Sequence, residues 1–128
     1  MTKTHFILYV KDQARSAEFY ARVLDRQPSV NARGITKFTL SETCVLGLIP
    51  EAGVKGLLGS RLPNPAHASG IPRSEVYLYV ENPSVFHRRV IEAGGYELSE
   101  LAEREWGDRA AYCLDLDGHV LAFAEKIE

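Results

Sequence analysis

Apolar and polar residues alternate with a period of two near the start of the chain and again in its second half. Setting Glu75 over His5, a shift of 70 residues, aligns His5-Phe-Ile-Leu-Tyr-Val-Lys-Asp12 with Glu75-Val-Tyr-Leu-Tyr-Val-Glu-Asn82, and Leu-Tyr-Val is identical in both. Period-two alternation of this kind predicts a strand in each copy. The period then becomes helical: Phe19, Tyr20, Val23 and Leu24 predict a helix over about Gln13 to Leu24, and Phe86, Val90 and Ile91 a second over about Pro83 to Ala93. Asp12 and Asn82 are good N-cap residues, Pro83 suits the first helical position, and Gly94-Gly95 ends the second helix. Three strand-like segments follow each helix: Ser29 to Arg33, Ile35 to Leu40 and Cys44 to Ile49, then Glu97 to Leu101, Arg109 to Leu114 and His119 to Ala124. The pattern is βαβββ, twice, in an α+β domain spanning 1–128, with repeats over 5–50 and 75–126.

Between the repeats, residues 51–74 are rich in glycine and proline and read as an irregular linker, with Leu57 and Leu58 tucked onto the body and the segment placed as a flap over a cleft. The spacing Gly53-x-x-Gly56-x-x-Gly59-Ser60 is a poor phosphate loop, because the lysine before the serine is missing.

Alternation divides each first strand into two faces. Phe6, Leu8 and Val10, with Val76, Leu78 and Val80, need an apolar partner, which the following helix supplies. The other face carries His5, Ile7 and Tyr9, with Glu75, Tyr77 and Tyr79; its polar groups are costly to bury unpaired and should line something wet or filled by a ligand. The last strands repeat as well, Val45-Leu-Gly-Leu-Ile49 over Val120-Leu-Ala-Phe-Ala124. Leu46, Leu48, Leu121 and Phe123 should pack under the helices, while the smaller Gly47, Ala122 and Ala124 leave room on the other side.

Composition narrows the function. An apolar fraction of 45% and a charged fraction of 25% are ordinary for a globular chain of 128 residues. The net charge of −2, from 15 basic and 17 acidic residues that are interspersed, lacks the footprint of a nucleic-acid or anionic-membrane binder. No apolar run reaches the ~20 residues of a membrane span, and Met1-Thr-Lys-Thr-His has no signal-peptide core, so a cytoplasmic location is expected. Cys44 and Cys113 belong to no C-x-x-C pair and read as small buried hydrophobes.

The opening His5-x-x-x-x-Val10-x-Asp12 with Ser16-x-x-Phe19-Tyr20-x-x-Val23-Leu24, and the closing Trp106-Gly107-x-Arg109 with Asp115-x-Asp117-Gly118-His119, resemble the two signature regions of the vicinal-oxygen-chelate superfamily, which includes glyoxalase I, bleomycin-resistance proteins and extradiol dioxygenases. The resemblance implies paired βαβββ modules forming a cupped mixed sheet around a cleft, helices on the outer face, commonly in a homodimer. It also implies a divalent ion held from the first and last strands of each module, positions that fall here on His5, Gly47, Glu75 and Ala122. Glycine and alanine offer no side-chain donor, and two donors are fewer than catalytic sites use. The expectation is therefore a metal-independent, cofactor-free protein of the bleomycin-resistance-like branch that sequesters a small, partly aromatic molecule. The alternative is a glyoxalase-like lyase or isomerase using His5 and Glu75, with or without a metal; a third reading is a protein-association module with no ligand.

Individual residues are open in the same way. His5 reads as a surviving ligand, a general base, or a hydrogen-bonding partner of Glu75. Tyr9, Tyr77 and Tyr79 suit stacking on a flat ligand, or are core aromatics with hydroxyls at the rim. Trp106 closes one end of the cleft or caps the sheet edge, and Arg109 binds a ligand carboxylate or, preferably, pairs with a nearby acid. Ile7, Gly47 and Ala122 complete the expected lining. Asp115-Leu-Asp-Gly-His reads as a tight turn, and His119, His87 and His67 as surface residues.

Overall fold

The computed structural model describes residues 1–128. In the first repeat β1 (Thr4–Val10) leads to α1 (Gln13–Leu24), then β2 (Val30–Ala32), β3 (Ile35–Ser41) and β4 (Cys44–Pro50). The sheet order is β1-β4-β3-β2, with β1 parallel to β4 and the other pairs antiparallel. Asp12 caps α1 as expected, its Oδ1 accepting from the Arg15 amide at 3.0 Å. Leu8, Val10, Phe38, Leu46 and Leu48 are buried on one face of the sheet with Phe19 and Tyr20 of α1, and the Tyr20 and Phe38 rings lie 6.4 Å apart. The same face holds the buried Thr36, whose hydroxyl donates to Asn31 Oδ1 and accepts from Gln13 Nε2, so no polar group is stranded there.

The second repeat copies this plan with β5 (Glu75–Tyr79), α3 (Pro83–Glu92), β6 (Tyr96–Glu103), β7 (Asp108–Leu114) and β8 (Val120–Lys126), in the order β5-β8-β7-β6. Its helix packs Phe86 on Phe123 of β8, ring centroids 5.3 Å apart. Asn82 precedes α3 but does not cap it: its backbone is left-handed (φ 57°) and its side chain makes no capping bond. The far end is a Schellman motif. Gly94 takes φ +101°, its amide donates to Ile91 O, and the Gly95 amide donates to Val90 O. His87, expected on the surface, is buried on α3, where its Nε2 meets Glu97 Oε2 at 2.8 Å. The helical register aims this position at β6, where the Glu97 carboxylate partners Nε2 while Nδ1 is enclosed without a hydrogen bond.

The connection between the repeats is more regular than its glycines suggest. It contains α2 (Glu51–Leu58) and 3₁₀ turns at Gly59–Arg61 and Pro65–His67. Pro50 precedes the helix, Glu51 stands in its first turn, and the Lys55 ammonium donates to the carbonyls of Gly59 and Leu62 beyond its end. Gly53 and Gly56 lie inside this helix, which removes the loop reading of the glycine spacing. Val54 anchors it, whereas Leu57 and Leu58 are 79% and 54% exposed rather than tucked in.

By contacts the chain forms two compact units, Met1–Ala21 with Asp25–Ser69, and Gly70–Glu128 with Arg22–Leu24. No helix is long and apolar enough to cross a membrane.

Candidate ligand-binding site

Chemistry collects on the helix-free face of the second sheet. Register places Tyr77, Ala122 and Tyr112 in one row across β5, β8 and β7, and Tyr79, Ala124 and Ala110 in the next. The Tyr77 ring is edge-on to Tyr79 (5.5 Å) and to Tyr112 (6.5 Å), so two rings from strands that are not neighbours approach across Ala122. The room expected at Ala122 is therefore shared by tyrosines.

The hydroxyls of these tyrosines converge on a residue the sequence reading missed. Asp108 opens β7 opposite Lys126, the last residue of β8, and is fully buried. Its Oδ2 accepts hydrogen bonds from Tyr77 and from Tyr79, each 2.7 Å long. Its Oδ1 makes no hydrogen bond of good geometry and faces the Lys126 ammonium at 3.3 Å. The geometry is that of an ion pair with imperfect alignment, and both contacts favour the ionised carboxylate. Bonds from Tyr79 and then Tyr77, with Lys126 alongside, hold the Asp108 carboxyl below its ordinary range despite desolvation. Burial, and then the bond to Asp108, push the Tyr77 phenol up to about 12. Lys126 is raised in turn by Tyr79 and Asp108.

Trp106 joins the network from the turn before β7, its indole Nε1 donating to the Tyr77 hydroxyl at 3.0 Å while the side chain stays exposed. Lys126 also donates to the Tyr79 hydroxyl at 3.1 Å and lies over that ring at 4.8 Å. Arg104 lies over Tyr112 at 5.1 Å, its guanidinium anchored on Ala110 O, Ser99 Oγ and Glu100 O. Tyr79 and Trp106 are 55% and 58% exposed, while their polar tips are bonded within the network.

Of the residues singled out from the sequence, Tyr77, Tyr79 and Trp106 thus meet in one network. Glu75 is exposed on the same face of β5. Arg109 points to the opposite face by alternation and pairs with Glu125 (3.1 Å) and Glu103 (3.5 Å), the partner type preferred for it. In the first module His5 and Tyr9 are exposed on β1, and Ile7 stands opposite Gly47 of β4. The room expected at Gly47 is taken, because a Cβ built there would collide with Ile7 Cδ1. Cys44 is half-buried rather than buried; Cys113 is fully enclosed, and burial pushes its thiol up to about 12. The Asp115 turn forms as expected, Oδ1 accepting from the amides of Asp117 and His119 with Gly118 at φ +87°.

The inherited metal positions do not suit a metal. Gly47 and Ala122 contribute no donor, the space beside Gly47 holds Ile7, and Ala122 lies between two tyrosines. No group of three or more His, Cys, Asp or Glu side chains is arranged to hold an ion. A separate open depression of about 810 Å³ beside α1, lined among others by Lys11, Asp12, Gln13, Glu18, Asn31 and Pro50, contains none of the residues of the tyrosine face. The Gln13 amide there is already bonded to Ala32 O, Thr36 Oγ1 and the Gly34 amide, so we place the site on the tyrosine face instead.

Two βαβββ units, each a four-stranded mixed sheet with its helix on one face, define a paired-module α+β protein. The sequence profile of the Glyoxalase/Bleomycin resistance protein/Dioxygenase superfamily matches residues 3–123, and the chain belongs to that superfamily. Among solved structures, a glyoxalase-related enzyme from Fulvimarina pelagi superposes with a TM-score of 0.79 at 20% identity, over 96% of this chain and 86% of that one. A glyoxalase/bleomycin resistance protein/dioxygenase family enzyme from Burkholderia phytofirmans PsJN gives 0.80 at 16% identity, over 96% and 97%. A glyoxalase/bleomycin resistance protein from Albidiferax ferrireducens T118 gives 0.72 at 18%, over 98% and 100%. Among curated proteins none matches. At these identities the structural likeness speaks for the fold.

Proposed function

We propose that this protein binds a small molecule with an aromatic part, without a metal, on the tyrosine face of its second module, and acts by sequestration rather than turnover. The observation that carries this reading is the convergence of Tyr77, Tyr79 and Lys126 on the buried Asp108, with Trp106 bonded to Tyr77. Rings locked by their hydroxyls lose little freedom when a ligand stacks on them, which is how a preorganised surface gains affinity. The donor-poor positions Gly47 and Ala122 support the metal-free part. A homodimer belongs to the same proposal, since isologous pairs are the commonest soluble assembly.

Trp106 is the only tryptophan and provides the test. Saturable change of its fluorescence with flat aromatic compounds, with no product formed, supports the reading. Turnover that disappears in His5→Ala or Glu75→Ala replaces it with a lyase or isomerase.

A further inference from the structure

We infer that the molecule bound on this face is a flat aromatic anion, its ring on Tyr79 and Trp106 and its negative group on the Lys126 ammonium; this rests on the binding reading above. The charges that line the face decide the sign. Asp108 is the nearest anion, yet it is fully buried, and its two oxygens are turned to the tyrosine hydroxyls and to Lys126. A ligand meets the other end of that ion pair. The Lys126 side chain is 67% exposed, and of the three donors its ammonium carries, one is bonded to Tyr79 and a second faces Asp108 as an ion pair without hydrogen-bond geometry. One donor remains, beside the half-exposed Tyr79 ring.

The remaining charges do not reverse this. Glu75 is four residues before Tyr79 on β5, a separation of ~13 Å along an extended strand. That exceeds the ~8 Å over which exposed charges act at physiological salt. At Tyr112 the positive Arg104 and the negative Glu75 act on the ring in opposite senses, so the sign of the face near Tyr79 is left to Lys126. Carboxylates and phenolates fit this arrangement, a charge-assisted bond to Lys126 being about twice as strong as a neutral one.

Calorimetric titration of the unmodified protein with 2-naphthoate, 2-naphthalenemethanol and 2-naphthylmethylammonium tests the charge with one ring shape. Naphthoate should bind about tenfold or more tighter than the alcohol, the ammonium most weakly, and added salt should narrow the gap. Lys126→Met should abolish the preference and Lys126→Arg retain it, each checked for folding by its melting curve. Equal affinities for all three probes would leave the aromatic platform standing and overturn the charge inference, as would tightest binding of the ammonium. If none of the probes binds at millimolar concentration, the binding reading itself fails and this inference with it.

Discussion

Asp108 shows how one buried carboxylate organises its surroundings. Two phenolic hydroxyls and an ammonium make it acceptor-only and ionised, and each donor loses a partner if it is removed. Tyr77→Phe deletes a bond to a charged group and also the acceptor of the Trp106 indole; urea melts should show a loss of about 1.5–3 kcal/mol. The pH dependence follows from the lowered carboxyl. The folded protein holds the Asp108 proton more weakly than the unfolded chain, whose carboxyl titrates near the ordinary 3.8. The associated stability is present above that value and is lost as pH falls through the lower folded pKa. Asp108→Asn should therefore flatten the acid limb of stability against pH below ~4; an unchanged limb would remove Asp108 from the account. The raised, enclosed Cys113 thiol should resist a disulfide reagent in the native protein, leaving no more than one reactive thiol per chain until denaturant exposes both.

At the scale of elements, Gly95 after α3 and Gly56 inside α2 differ in what they tolerate. A Cβ at Gly95 would come within 2.6 Å of the Leu114 carbonyl and collide with Val90, so Gly95→Ala should cost about 1–3 kcal/mol. Gly56, inside α2 with nothing near its missing Cβ, should accept alanine with a gain of about 0.5–1 kcal/mol. Thermal melts of both variants check the pair. The elements were largely legible because each periodicity is local: α1 begins and ends where Phe19, Tyr20, Val23 and Leu24 imply. Strand ends were less so. The expected strands began at Arg109 and stopped at Ala124, whereas β7 starts at Asp108 and β8 continues to Lys126. The Asp108 and Lys126 pair lies one residue beyond the expected start of β7 and two beyond the expected end of β8. Continuing the alternation of Tyr112 and Ala110 by one more step would have placed Asp108 on the tyrosine face.

For the whole molecule, metal content follows from the donor set and assembly from symmetry. With Gly47 and Ala122 at inherited ligand positions, the purified protein should carry far less than one equivalent of zinc, nickel, manganese or iron. Chelator should leave its melting temperature unchanged, and one tightly held ion per chain would instead move the enzyme reading to the front. Gly47→Glu with Ala122→Glu should create metal uptake only if Ile7 and the tyrosines give way, so the triple variant that adds Ile7→Ala is the fairer one to assay. Light scattering at micromolar concentration should return the mass of two chains. A monomer that persists on concentrating would refute the homodimer.

By itself the sequence determined that the protein is two copies of βαβββ, because side-chain period and internal repetition are properties of neighbouring residues along one chain. It also placed Tyr77 and Tyr79 on the polar face of their strand, and it showed that two inherited ligand positions have no donor. Only the tertiary structure decided what those tyrosines bond to. Asp108 lies on β7, Lys126 on β8 and Trp106 in a turn, and none is a neighbour of Tyr77 in the chain. Strand register brings them together: the Asp115 turn sets it between β7 and β8, but the parallel pairing of β5 with β8, which brings Tyr77 and Tyr79 to that hairpin, joins segments far apart in the chain. The same holds for space: a glycine promises room in a sequence, but whether the room is empty depends on which rotamer the facing Ile7 adopts.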